Sequence, residues 1–305
     1  MKRRILALVL AAALAGCGSG KKEPPLIDER VVFASSRDGN TEIYSMDANG
    51  NGLRRLTRNA AYDAQPTLRP DRQEIVFTSD RDGDYELFRM DADGGNVQRL
   101  TNNTFVDADP AFSPDGTQIA FVSDRDGGDD IYVMNRDGSN VRRLTRDPAN
   151  DETPAWTPDA KSIVFASDRD GDYELYACDV ETGTKIRRLT NNVWSDFAPS
   201  VSPDGKTIAY VSNRDGDNEI MLLDVPTAAV TDQLTFNDIS DSFPAYSSDG
   251  RWLVFDTRRN GFADIYRMDV PSGTNLVNLT RNTGGSADTN PDSRHRRPLP
   301  GLRRD

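Results

Sequence analysis

One pattern of 44 to 45 residues runs six times through this chain, and it leaves few folds open. A glycine recurs at Gly39, Gly83, Gly127, Gly171, Gly216 and Gly261, in steps of 44, 44, 44, 45 and 45 residues. A Leu-Thr pair keeps the same period at Leu56-Thr57, Leu100-Thr101, Leu144-Thr145, Leu189-Thr190, Leu234-Thr235 and Leu279-Thr280. A third marker, Asp-x-x-Pro, falls at Asp63/Pro66, Asp107/Pro110, Asp151/Pro154, Asp196/Pro199 and Asp241/Pro244. Self-similarity at a fixed period of this size marks units that cannot bury their apolar faces alone and must lean on one another.

Each unit holds four short strand signals separated by turn residues, here called A to D. In the third unit the pattern predicts strand A just after the Asp-x-x-Pro, at Pro110–Ser113, strand B at Ile119–Ser123, strand C at Asp130–Met134 and strand D at Val141–Thr145. The A–B turn Ser113-Pro114-Asp115-Gly116 has Pro to preset φ and Gly to supply a positive one. Aligning the units shows what is buried. Strand B opens on Val31, Ile75, Ile119, Ile163, Ile208 or Leu253, and two residues on stands Phe33, Phe77, Phe121, Phe165, Tyr210 or Phe255. The residue between them is Val or Ala in every unit, so both faces of strand B are apolar and both must be covered. Radial stacking of four-stranded units does this. The predicted fold is all-β, a six-bladed β-propeller of four-stranded antiparallel blades over residues 31–291. Cys178 falls in the Met/Leu column of strand C and reads as a core residue, not a reactive thiol.

The first unit starts directly at strand B and lacks a strand A. A sixth Asp-x-x-Pro, Asp288/Pro291, is placed to supply it and close the ring, although its aromatic column continues only as Ser293. The other arrangement is a three-stranded first blade. The stretch 292–305 is basic, has no apolar period and reads as a disordered tail.

The start of the chain has the order of a lipoprotein leader. Lys2, Arg3 and Arg4 precede an apolar run from Ile5 to Leu14, which is too short to span a bilayer and reads as the core of a signal peptide over residues 1–16. The run ends Leu14-Ala15-Gly16-Cys17, which resembles the lipobox of bacterial lipoproteins, and this resemblance implies cleavage before Cys17 and acylation of it. Gly18 in the next position is compatible with the outer membrane. Residues 17–30 then form a flexible linker.

Composition removes whole classes of function. The formal net charge is −12, and residues 17–280 alone hold 46 acidic against 28 basic side chains, a poor match to nucleic acid. His295 is the only histidine, so histidine-based zinc sites and Ser–His–Asp chemistry lack their residues. Two cysteines cannot build a disulfide framework.

Written out, the unit reads PxFSPDGxxIAFxSDRDGxxxIYxMxxDGxxxxxLT, and it resembles the repeat of the TolB-type propellers, bacterial envelope proteins. The resemblance covers residues 28–291 and implies the propeller fold and its use as a protein-binding platform. TolB-type proteins carry an N-terminal α/β domain where this sequence has the linker, and they are soluble in the periplasm, so the TolB role itself is not implied.

Antiparallel strands put the B–C and D–A loops on one rim. That rim gathers Arg81, Arg125, Arg169 and Arg214 from the B–C loops and Asp63, Asp107, Asp151, Asp196 and Asp241 from the D–A loops. Two roles fit this set. The arginines can tie one blade to the next through the carboxylates, or part of the ring can receive a partner. The D–A loops also carry Tyr62, Phe105, Trp194 and Phe236, the make-up of an interface anchor. The expectation is a lipid-anchored, monomeric, non-catalytic scaffold of the cell envelope, at the outer membrane facing the periplasm, holding an envelope protein or peptide on this rim. The alternatives are a glycan- or peptidoglycan-binding propeller or a carboxylate-based glycoside hydrolase, although strand A offers Gln65, Asp109 and Thr153 rather than a matched carboxylate pair. No dedicated metal site or cofactor is expected; calcium on the axis is the one cation the Asp-rich rim suggests.

Overall fold

The computed structural model describes residues 29–282 and 285–292. The leader, Cys17, the linker up to residue 28 and the basic stretch from residue 293 lie outside the described residues.

The chain forms six separate four-stranded antiparallel sheets. The second blade shows the plan: strand A is Asp63–Leu68, B is Glu74–Ser79, C is Glu86–Asp91 and D is Gln98–Arg99. The first blade is a composite. Its strands B, C and D are Arg30–Ser35, Glu42–Asp47 and Arg54–Arg55, and its strand A is Asp288–Thr289 from the far end of the chain. Ala34 pairs with Thr289 and Ser35 with Asp288, so the end of the chain closes the ring.

Each strand B is apolar on both faces because each sheet is covered on both. Ile75, Phe77, Phe88 and Met90 of the second blade pack on Val32, Ile43 and Leu56 of the first in one buried cluster. The same face-to-face arrangement recurs one blade pair further on, where Phe165, Tyr176 and Cys178 meet Val122, Ile131 and Leu144. Full burial of one such Phe is worth roughly 1.5–3 kcal/mol. Cys178 is buried in this cluster, and burial pushes its thiol up to about 12.

Two expectations about strand limits need correction. The Asp-x-x-Pro does not precede strand A; its Asp is the first residue of that strand. The strand can contain a Pro because it bulges there. The register shifts between Ala64 and Thr67, and again at the same place in the next four blades. The residue before the Pro takes a left-handed φ every time: 51° at Gln65, 51° at Asp109, 51° at Thr153, 49° at Ala198, 56° at Phe243 and 51° at Asn290. Pro, having no N–H, is at home at a bulge of an edge strand. Strand D is also shorter than predicted, only Arg142–Arg143 in the third blade. The Leu-Thr that follows is used differently: Thr101 Oγ1 accepts the N–H of Leu87 at 2.9 Å, and the equivalent Thr does the same in all six blades.

Candidate functional site: the B–C and D–A rim

The rim is built from one circuit of side chains repeated with small changes. In the second blade Arg81 Nη2 lies 3.0 Å from both oxygens of Asp63, while its Nε donates to Ser79 Oγ at 2.9 Å. Ser79 in turn donates to Asp63 at 2.6 Å. The guanidinium sits over the rings of Phe77 and Phe88, 5.3 and 4.5 Å from their centroids, a cation–π stack. The same pairs form between Arg125 and Asp107 at 2.7 Å, Arg169 and Asp151 at 2.9 Å, Arg259 and Asp241 at 2.5 Å and, across the closure, Arg37 and Asp288 at 2.6 Å.

This corrects the idea that these arginines tie one blade to the next. Each pair lies within a single blade, because strands A and B of one sheet are neighbours and their ends meet at this rim. Asp63, Asp107, Asp151, Asp196 and Asp241 are fully buried, all but Asp196 against an arginine, so a partner reaching the rim meets guanidinium edges and loop residues instead.

A second circuit lies further out. Glu42, Glu86, Asp130 and Glu174 open strand C and pair with Arg55, Arg99, Arg143 and Arg188 of strand D at 2.6–2.9 Å. Burial pushes Asp130 up to about 6 in spite of Arg143. One participant went unread in the sequence. The Leu-Thr pair is really Leu-Thr-x-Asn: the Asn59 side chain donates to Asp63 at 2.6 Å, and Asn103, Asn192 and Asn237 donate to Asp107, Asp196 and Asp241. Its period of 44 to 45 residues was the available signal. In the fourth blade Asp147 stands in that place, and Asp151 Oδ2 has no hydrogen-bond partner. Burial raises the Asp151 carboxyl above its ordinary value.

The pattern breaks in blades five and six. Arg214 does not pair with Asp196; it donates to Gln233 Oε1 at 2.6 Å. Two substitutions explain this. Met221 replaces the strand C aromatic over which the other arginines stack, and Gln233 replaces the strand D arginine that would repel Arg214. Asp196 is left with the neutral donors Ser212 and Asn192, and burial pushes it up to about 6. In blade six the B–C loop opens with Arg258, where the other loops open with Ser36, Asp80, Asp124, Asp168 or Asn213. Those five side chains each accept a backbone N–H from the adjoining D–A loop, at 2.7–2.9 Å. Arginine has no acceptor. Arg258 is exposed and makes no ion pair or side-chain hydrogen bond with any described residue.

Beside it opens a cavity of about 690 Å³ between blades five, six and one, whose wall includes Tyr62, Ile239, Phe243, Asp256, Arg258 and Asn290. Exposed apolar side chains stand on the same rim: Phe236 at 74%, Trp194 and Phe105 at 43% each, and Val193. Nearer the axis, Gln65 donates to Asp109. Among the described residues no group of three or more His, Cys, Asp or Glu is placed to hold a metal ion.

Six sheets of four antiparallel strands, closed by the two ends of the chain, define a six-bladed β-propeller. The model of the TolB β-propeller domain matches residues 27–108 and 186–295, and that of the Tricorn protease N-terminal β-propeller domain matches residues 84–182. The chain belongs to the TolB β-propeller family. Among solved structures it is similar to TolB from Acinetobacter baumannii, with 24% identity and a TM-score of 0.78 over 88% of this chain and 67% of that one. It is also similar to an oligogalacturonate lyase in complex with manganese, with 19% identity and a TM-score of 0.58 over 82% of this chain and 73% of the lyase. A puromycin-hydrolyzing peptidase of Mycobacterium tuberculosis shares 18% identity at a TM-score of 0.57, over 82% of this chain and 43% of the peptidase. Among curated proteins none matches the sequence. Likeness at this level is likeness of fold, and propellers of this kind serve binding and catalysis alike.

Proposed function

We propose that this protein is a lipid-anchored propeller of the bacterial cell envelope, attached through Cys17 at the outer membrane, that binds an envelope protein or peptide on its B–C/D–A rim. The observation that carries the reading is where the repeat fails. Blades one to four keep both circuits of buried ion pairs as scaffold; among the described residues blade five has neither, and blade six keeps Arg259–Asp241 but has Asn278 in place of the outer arginine, beside the 690 Å³ cavity and Arg258. Scaffold residues repeat because every blade needs them; a ligand off the axis needs its residues once. Aromatic residues and arginine are the usual make-up of a binding hot spot, and Trp194, Phe236 and Arg258 put both, exposed, on this rim. The charged side chains lining the cavity are Asp256 and Arg258, which suits holding a polar segment rather than the paired carboxylates of glycoside hydrolysis.

The test is affinity capture from envelope extracts with the wild-type chain and four variants. Trp194→Ala, Phe236→Ser and Arg258→Glu should each lose the partner by tenfold or more, the scale of about 1.4 kcal/mol. Asp204→Ala, on the opposite rim, should keep it. Retention by all three rim variants would contradict the reading, and capture of peptidoglycan sacculi in place of protein would replace it with the glycan-binding one.

A further inference from the structure

We propose that the cleft between blades four and five, open at the rim of the A–B and C–D turns, binds a medium-chain fatty acid, with the acyl chain between the two sheets and the carboxylate at Lys161 and Lys185. The cleft lies on the rim opposite Trp194 and Arg258, and the proposal stands apart from the partner reading above.

The first break in the repeat that makes the cleft is one of size. Where two blades meet, the fourth residue of one strand C packs near the last residue of the next strand A. Val133 and Trp156 share one buried cluster between blades three and four, and Leu222 and Tyr246 another between blades five and six. Ser45 with Leu68 and Arg89 with Phe112 hold these places in the first two gaps. Between strand C of blade four, Glu174–Asp179, and strand A of blade five, Asp196–Val201, the pair is Ala177 and Val201, the smallest of the five. The space that larger side chains take elsewhere is left as a cavity of about 440 Å³. Val164, Leu189 and Ile208 form its back, and Ala177, Val201 and Val225 are only partly buried over it. An apolar cavity of this size with a few polar groups to one side is the usual form of a small-molecule site. It takes one acyl chain, not the two of a phospholipid.

The second break is one of charge. Among the described residues lysine occurs three times, and two of the three, Lys161 and Lys185, line this cleft. The third, Lys206, stands in the adjoining turn and pairs with Asp204 at 3.4 Å. Lys185 has a φ of 56° where the equivalent Asn96, Asn140 and Asn275 have 52–54°. Asparagine visits this left-handed region readily and lysine does not. Asn96 and Asn275 use the place to donate to Asp91 and Asp269, whereas Lys185 lies 3.5 Å from Asp179 with its side chain 80% exposed. Lys161 makes no ion pair or side-chain hydrogen bond with any described residue. Arg187 also lines the cleft. Its equivalent Arg142 has Glu181 of the next blade nearby, but Pro226 stands where that acid would be, and Arg187 reaches only Val225 O at 3.4 Å. The two acids of the cleft are engaged by their own turns. Asp159 accepts the Thr157 hydroxyl at 2.7 Å and the Lys161 N–H at 3.1 Å, and Asp179 accepts the Thr182 hydroxyl at 2.8 Å and its N–H at 3.0 Å. Three cations against two engaged carboxylates, beside an apolar wall in an otherwise acidic chain, suit a ligand with an anionic head and an apolar tail.

The test is calorimetric titration of residues 18–305, which hold the whole closed ring, with octanoate, decanoate and dodecanoate below their micelle concentrations. The expected result is saturable binding of one fatty acid per chain, tightening by roughly threefold to fourfold for each added methylene. Decanol should bind at least tenfold more weakly than decanoate, and decyltrimethylammonium not at all. Val201→Trp places in blade five the residue that blade four has at Trp156, and it should abolish binding while the chain still melts cooperatively. If that variant does not fold, Ala177→Leu, the residue of blade five at Leu222, blocks the same space. Lys161→Gln combined with Lys185→Gln should weaken decanoate tenfold or more and leave decanol unchanged. Decanoate binding that survives in a folded Val201→Trp or Ala177→Leu chain would overturn the proposal. So would decanol or decyltrimethylammonium binding as tightly as decanoate, or no binding of any of the three acids.

Discussion

Asp107 and Asp196 hold the same place in their blades but stand in opposite electrostatic situations. Asp107 is buried against Arg125 at 2.7 Å, whereas Asp196 is buried among neutral donors, Asn192 and Ser212, with no arginine against it. Asp107→Asn should therefore cost roughly 2–3 kcal/mol, because it strands a guanidinium that is mostly withdrawn from water. Asp196→Asn should stabilise the protein at pH 7.5. The Asp196 carboxyl has a folded value of about 6 against an ordinary 3.8. The folded state thus holds more protons than the unfolded one between those two values, so the fold gains stability as pH falls from about 6 toward 4. The full displacement corresponds to on the order of 1–3 kcal/mol. The Asn variant's advantage should fade across that window as the wild-type carboxyl becomes neutral. Thermal melts of both variants from pH 7.5 to 4.5 check this, and equal losses for the two would show that Arg214 reaches Asp196 in solution.

At the scale of elements, the glycine of the C–D turn decides how closely blades approach. A Cβ on Gly183 would sit 2.1 Å from Leu144 O of the blade before, and the residue has a φ of +66°. Gly183→Ala should destabilise by more than about 2 kcal/mol. Blade five has Ala228 at the equivalent place, already at φ 55°, so Ala228→Gly should gain up to about 1 kcal/mol. Denaturant midpoints of the two variants test the pair. The blades themselves were legible because strand B alternates aromatic and aliphatic residues at one fixed spacing, and Leu-Thr and Gly repeat with it. The bulge was not: nothing about Gln65, Thr153 or Phe243 as residue types announces a left-handed φ, and the Pro beside each argued for a strand starting later. The rim was half legible. Its Arg and Asp columns could be counted, but which aspartate each arginine meets depends on strands A and B being neighbours. The swing of Arg214 toward Gln233 depends further on Met221, a strand C residue outside both columns.

For the molecule as a whole, closure joins residues about 250 positions apart, Arg37 and Asp288 among them. Asp288→Ala should loosen the whole ring, costing roughly 2–4 kcal/mol and raising protease cleavage near both ends at once. Cleavage at one end alone would mean that the first blade stands without its borrowed strand. The proposed function assigns the B–C/D–A rim to a partner. The most direct measurement is photocrosslinking in living cells, with a crosslinking residue placed at position 194 or 236 on one rim or at 204 on the other. A discrete protein adduct from 194 and 236, absent from 204 and lost on adding Arg258→Glu, is what this account predicts. An adduct from 204 that is undiminished by Arg258→Glu, with none from 194 or 236, would contradict it.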